Sequence, residues 1–160
     1  MTSQGDVASA LISRFPRLFK GREPACGITT GAGWNALLTQ LFDEIDHLLD
    51  DKQAALFHVR QVKQKFGGLR VYYGIGNSNE MVLDMLTPAG VTSIRKPPTV
   101  QGRFPRDAVD QCIARAAALA LDTCEVCGSP GALRRDGWIR VLCDSCNVTG
   151  RSIAEGDERQ

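Results

Sequence analysis

The chain has 160 residues, 43% of them apolar, with 19 Lys/Arg against 18 Asp/Glu and a formal net charge of +1. That length and apolar content suit one ordinary globular core with a small appended module. No apolar run approaches the ~20 residues needed to span a bilayer, so no membrane association is expected.

The opening Met1-Thr2-Ser3-Gln4-Gly5-Asp6 lacks the basic start and apolar core of a secretory signal. Charge is unevenly spread. Residues 52–106 hold nine Lys/Arg against Glu80 and Asp84, while both flanks are net acidic. Such polarity either steers an acidic partner or is consumed by pairing between the basic middle and its flanks.

In chain order, residues 6–19 predict a short helix that Pro16 interrupts. A glycine-rich connection, Ala25 to Gly33, follows, and its Gly31-Ala32-Gly33 is best read as a turn that lets Trp34 pack. It is not a phosphate loop, because no Lys-Ser/Thr accompanies it. Trp34 to Asp50 predicts the clearest helix, with Leu37, Leu38, Leu41, Phe42, Ile45, Leu48 and Leu49 on one stripe. Its acidic face reads as solvated surface.

Residues 56–63 and 69–74, rich in Val, Phe and Tyr, flank Gly67-Gly68 and predict a β-hairpin. Leu69, Val71 and Tyr73 alternate with Arg70 and Tyr72, so one face is apolar and the other sets a cation beside an aromatic. Residues 78–87 predict a short helix. From 88 to 105, with Pro97-Pro98 and three cations (Arg95, Lys96 and Arg103), an irregular exposed loop is expected. Arg106 to Leu121 predicts a helix opened by Pro105, with Val109, Cys112, Ile113, Ala116 and Ala120 inward.

This helix runs almost directly into Cys124-Glu125-Val126-Cys127, and Cys143-Asp144-Ser145-Cys146 follows with fifteen residues between Cys127 and Cys143. Two Cys-x-x-Cys pairs at that separation read as one tetrathiolate site. Each tight turn presents two sulfurs, and the gap accommodates a hairpin that returns the second turn to the first. Ala132–Arg135 and Trp138–Leu142 are its expected strands, with Asp136-Gly137 as a two-residue turn. Gly128 and Asn147 occupy positions that suit positive φ. One structural Zn²⁺ per chain, held by Cys124, Cys127, Cys143 and Cys146, is the expected cofactor; iron is the alternative for tetrahedral sulfur. Free thiolates of this kind persist in a reducing compartment, here the cytoplasm. Cys26 and Cys112 read as small buried apolar residues.

Catalytic signals are sparse. Only His47 and His58 are present, neither beside the cysteines, so an open catalytic metal site is not supported and the chain is read as non-enzymatic. Gln61-Val62-Lys63 has a nuclease-like look, yet the strand supplies no carboxylate for two-metal chemistry. The candidate partner-binding residues are Lys63, Lys65, Arg70 and Tyr72 on the central hairpin and Arg134, Arg135, Trp138 and Arg140 on the metal hairpin. Cations interleaved with aromatics serve either a protein interface or a nucleic acid. Near-neutral charge and the lack of a base-reading motif favour a protein, with a nucleic-acid-binding regulator as the alternative.

Lys63 to Tyr72, with Trp34 upstream and Cys124-Glu125-Val126-Cys127-Gly128-Ser129-Pro130-Gly131 before Leu142-Cys143-Asp144-Ser145-Cys146, resembles small bacterial and phage proteins that pair a Lys-Phe-Gly-Gly-Leu-Arg hairpin with a C-terminal zinc ribbon. The resemblance covers about residues 34–147, with 88–104 as a variable insertion. It implies a role in conflict systems, such as an inhibitor, immunity or defence-modulating factor. The expected organisation is α+β: a helical body with a central β-hairpin over 1–121, a zinc ribbon over 122–150, and a polar tail over 151–160.

Overall fold

The computed structural model describes residues 4–76, 83–87, 90–94 and 104–148. Helix α1 (Gln4–Arg14) stops before Pro16, which opens the one-turn α2 (Pro16–Phe19), where its missing N–H needs no partner. After β1 (Ile28–Thr29) and a 3₁₀ turn at Ala32–Trp34 comes α3 (Asn35–Leu48), burying Leu38, Leu41, Phe42 and Ile45. This helix ends earlier than the sequence pattern suggests. Asp50 caps a further helix, α4 (Asp51–Leu56), through a capping box with Gln53.

Strands β2 (Phe57–Lys65) and β3 (Gly68–Ile75) form the central antiparallel hairpin, and β1 joins β2 in parallel to give the order β1-β2-β3. A register shift between Val59 and Gln61 changes which parity faces inward. Phe57 and Val59 are buried before it, and Val62 after it. The expected Gly-Gly turn is displaced by one residue. Phe66 and Gly67, at φ 53° and 77°, make the two-residue turn, and Gly68 pairs with Lys65 inside the ladder.

The short helix expected over 78–87 is corrected: Leu83–Thr87 is a strand, β4, paired antiparallel with β5 (Gly90–Ile94). Part of the expected irregular 88–105 loop is therefore regular hairpin. The threonines, Val91 and Ile94 favour extended pairing over a helix. Residues 78–82, the remainder of 88–103 and the polar tail lie outside the described residues.

Helix α5 (Arg106–Ala120) packs on α3 and β3, burying Val109, Cys112, Ala116 and Ala120. The Tyr73 hydroxyl donates to Asp110 Oδ1 at 2.8 Å and ties this helix to the sheet. The core between these layers is rich in rings: Phe19 meets Phe42 edge-on at 4.9 Å, and Phe57 stacks on Tyr73 at 5.1 Å. Two short strands, β6 (Ala132–Arg134) and β7 (Arg140–Leu142), form the C-terminal hairpin. The architecture is α+β, a helical body around a small mixed sheet with a C-terminal cysteine cluster.

Candidate metal centre and the surface around it

The chain turns sharply after α5 to build the first cysteine loop. Cys124 N–H donates to Ser129 O, Gly128 N–H returns to Cys124 O, and Gly128 takes φ 78°. The second pair sits at the start of a helical turn over 144–148, where Cys146 N–H points at Cys143 Sγ (3.4 Å) and Asn147 N–H bonds Cys143 O. Asn147 is therefore helical rather than left-handed as the sequence suggested. Between the pairs, residues 135–139 form a loop longer than the expected two-residue turn, because the strands close at Arg134 opposite Arg140. Gly137 still takes positive φ, 98°.

All four Sγ atoms, of Cys124, Cys127, Cys143 and Cys146, lie within 4.8 Å of one another, and Cys127 and Cys143 are 3.6 Å apart. A tetrahedron with metal–sulfur bonds of ~2.3 Å has an edge of about 3.8 Å, so the sulfurs are close to where one ion would place them. The thiols perturb one another. Hydrogen bonds from the Ser129 hydroxyl and backbone N–H bring Cys127 down to about 6. Cys146 is pushed up to about 12, first by Cys143 and then by Cys127. Four sulfurs this close do not ionise independently without a cation between them. The cluster can hold a metal ion.

The cysteine loop is seated on the body by Gly31 and Gly33. Gly33 N–H donates to Glu125 O at 2.9 Å. A Cβ on Gly31 would run into the Glu125 carbonyl, and one on Gly33 into the Cys124 carbonyl and, at 2.5 Å, Gly128 N. The buried Trp34 then donates from Nε1 to Thr123 O at 2.8 Å, just ahead of Cys124. The Gly-Ala-Gly turn thus does let Trp34 pack. Its glycines have a second role that the sequence did not disclose, admitting the metal loop's backbone.

A second seam joins the two hairpins. Gln64 Nε2 donates to Ile139 O at 2.7 Å, and Gly67 lies against Leu133 and Ile139. Of the eight candidate contact residues, Lys63 lies 5.2 Å over the Tyr72 ring and Lys65 5.6 Å over Phe66, while Arg70 is exposed. The register pairs Lys63 with Arg70, so both project from the hairpin face opposite Gln64. Arg134 is held by Asp144 at 2.6 Å and by Leu142 O, and Arg140 by Glu125. Those two arginines brace the ribbon. Arg135 is exposed, and Trp138 is 79% exposed.

Phe66, 70% exposed at the tip of the central hairpin, belongs with this set and was missed. The sequence pattern puts it in the connection between the strands at 56–63 and 69–74, with the turn assigned to Gly67-Gly68. Glu125 is the other omission. Although charged, it is only 5% exposed, and its Oε2 has no hydrogen-bond partner.

The remaining candidates are dispersed. Cys26 is exposed, correcting the expectation of burial, because it sits in the connection beside β2 rather than under it; Cys112 is buried as expected. His47 lies exposed beside Asp43, and Asp51 is engaged by Arg17. Among the described residues, the four cysteines form the one group placed to hold a metal, and no helix is long and apolar enough to cross a membrane. No known protein family, curated protein or solved structure matches the chain.

Proposed function

We propose that the chain is a non-enzymatic, zinc-stabilised binding protein of the cytoplasm that acts on a protein partner. The carrying observation is the placement of Phe66 and Trp138, two largely exposed aromatics, on adjoining hairpins whose seam is Gln64–Ile139 and Gly67–Leu133. Exposed aromatic rings are the usual anchors of protein interfaces. Lys65 lies over the Phe66 ring and Arg135 is exposed on the ribbon hairpin, while Lys63 and Arg70 share one face of the central hairpin. Such cations call for an acidic rim on the partner. A four-thiolate site has no open position, so the zinc is structural and its role is to hold the ribbon against the body.

The resemblance to bacterial and phage proteins carrying a Lys-Phe-Gly-Gly-Leu-Arg hairpin and a zinc ribbon extends the proposal to an inhibitor, immunity or defence-modulating role. Nucleic-acid binding is the second reading, favoured by Lys63 lying over the Tyr72 ring, a pairing that suits phosphate and base together.

Affinity capture from the native host, with and without nuclease, separates the two. The protein reading expects one species retained after nuclease and lost with a Phe66→Ala/Trp138→Ala variant that keeps its metal. Retention that vanishes with nuclease, and a steep salt dependence flattened by Lys63→Ala, Lys65→Ala and Arg70→Ala, would instead establish the second reading.

A further inference from the structure

Glu125 is an unusual residue to bury. It lies between two metal-binding cysteines, accepts from Arg140 Nε on Oε1, and leaves Oε2 shielded from water without a partner. An unsatisfied buried acceptor costs about 1–3 kcal/mol, so the group calls for an explanation, of which a bound ligand is one. Above it lies an open groove of about 520 Å³, between the 29–32 turn, Gln64 and the ribbon's Trp138 and Arg140. That volume is ordinary for a small-ligand site. Trp138 lines the groove and is largely exposed.

The chemistry of the walls narrows the ligand. Glu125 and Arg140 are the ionisable groups among the described groove residues, and they neutralise each other. A cationic ligand would add a net charge to a partly desolvated pair, which is unfavourable. A neutral planar ligand would not. It must offer N–H donors to Oε2 and a flat face to the indole. The amide nitrogen of Gln64 is fixed on Ile139 O, which leaves its amide oxygen as a second acceptor on the same wall. A ligand with two adjacent donors on one edge therefore fits better than one with a single donor. Oε2 is shielded in the unliganded arrangement, so binding requires a rotation about the last carboxylate bond, a soft torsion, to bring it to the ligand's edge.

The geometry points to a guanine-binding groove: the base stacks on Trp138 and its N1–H and N2 amino edge donates to Glu125 and Gln64. This site shares Trp138 with the partner surface and goes beyond it through Glu125 and Gln64, the latter projecting from the hairpin face opposite Lys63 and Arg70. The guanine can come from a free nucleotide or from a single strand, and the shared chemistry is the base.

The four nucleoside 5′-monophosphates, titrated separately into the zinc-loaded full chain, test this with the two indole N–H resonances as readout. Trp34 is buried and bonded to Thr123 O, so its signal serves as the internal control of fold. GMP should shift Trp138 and leave Trp34 in place, and the other three nucleotides should bind about tenfold or more weakly. Glu125→Gln should lose about tenfold to a hundredfold for GMP, and Trp138→Ala, at a side chain 79% exposed, should lose binding with the fold intact. A guanine-containing hexanucleotide binding far more tightly than GMP identifies a single strand as the source; parity identifies the free nucleotide. Equal response to all four nucleotides, no response to GMP at millimolar concentration, or a response to ethylguanidinium in its place would each overturn the assignment.

Discussion

Replacing Gly33 by alanine probes the seat of the metal loop with a single methyl group. The added Cβ would meet the Cys124 carbonyl and stand 2.5 Å from Gly128 N, both backbone atoms of a loop pinned by its own hydrogen bonds. Neither neighbour is a flexible side chain, so the loop must shift as a unit. Overpacking a tight site costs about 1–3 kcal/mol. The shift also strains the Gly33 N–H bond to Glu125 O and the Trp34 bond to Thr123 O, each worth about 0.5–1.5 kcal/mol. The expected loss is about 3 kcal/mol, or over a hundredfold in the docking equilibrium, with the metal retained. Gly137→Ala is the control. At φ 98° it meets nothing within 4 Å, so it carries only the left-handed backbone penalty of about 1–2 kcal/mol, confined to an exposed loop. Urea unfolding, metal content and the Trp34 indole resonance read the two variants. A Gly33→Ala protein with the wild-type midpoint and an unmoved Trp34 signal would refute the seating.

Asp50→Ala removes the capping box of α4 and should destabilise the chain by about 1 kcal/mol, whereas Asp50→Asn should restore most of it, as urea midpoints will show. His58 is held below its ordinary value of 6.5, first by burial and then by the charges of Arg60, Lys20 and Arg22. Because its folded value is depressed, its contribution is complete above about 6.5 and is lost as pH falls through the folded value. The stability difference between wild type and His58→Gln should therefore change with pH below about 6.5 and be flat above it; a flat difference at acid pH would contradict this.

The parts of this fold legible in the sequence are those encoded locally. The Cys-x-x-Cys spacing forces two tight turns to share one centre, and the stripe of α3 packs inward through Leu38, Leu41, Phe42 and Ile45, although Leu48, also expected on it, is exposed. Pro16 ends one helix and starts the next for reasons internal to proline. What stayed hidden depends on distant partners. Gly31 and Gly33 look like turn residues until Glu125 and Cys124, nearly a hundred positions away, are seen against them. Phe66 adopts φ 53° because the ladder's register assigns it the turn, against the local preference for Gly67-Gly68. The β4–β5 hairpin lay in a stretch where prolines and cations masked extended residues. Arg134 and Arg140 read as contact residues from composition, while the fold uses them to hold Asp144 and Glu125.

Elemental analysis of protein purified without added metal, coupled to the Trp34 indole signal, bears most directly on the central claim. One zinc per chain is expected, with Cys124→Ser releasing it and loosening the loop from Gly33 and Trp34 while α3 and α5 stay packed. Iron in its place, or a Cys124/Cys143 double variant that keeps both its metal and its Trp34 signal, would contradict it.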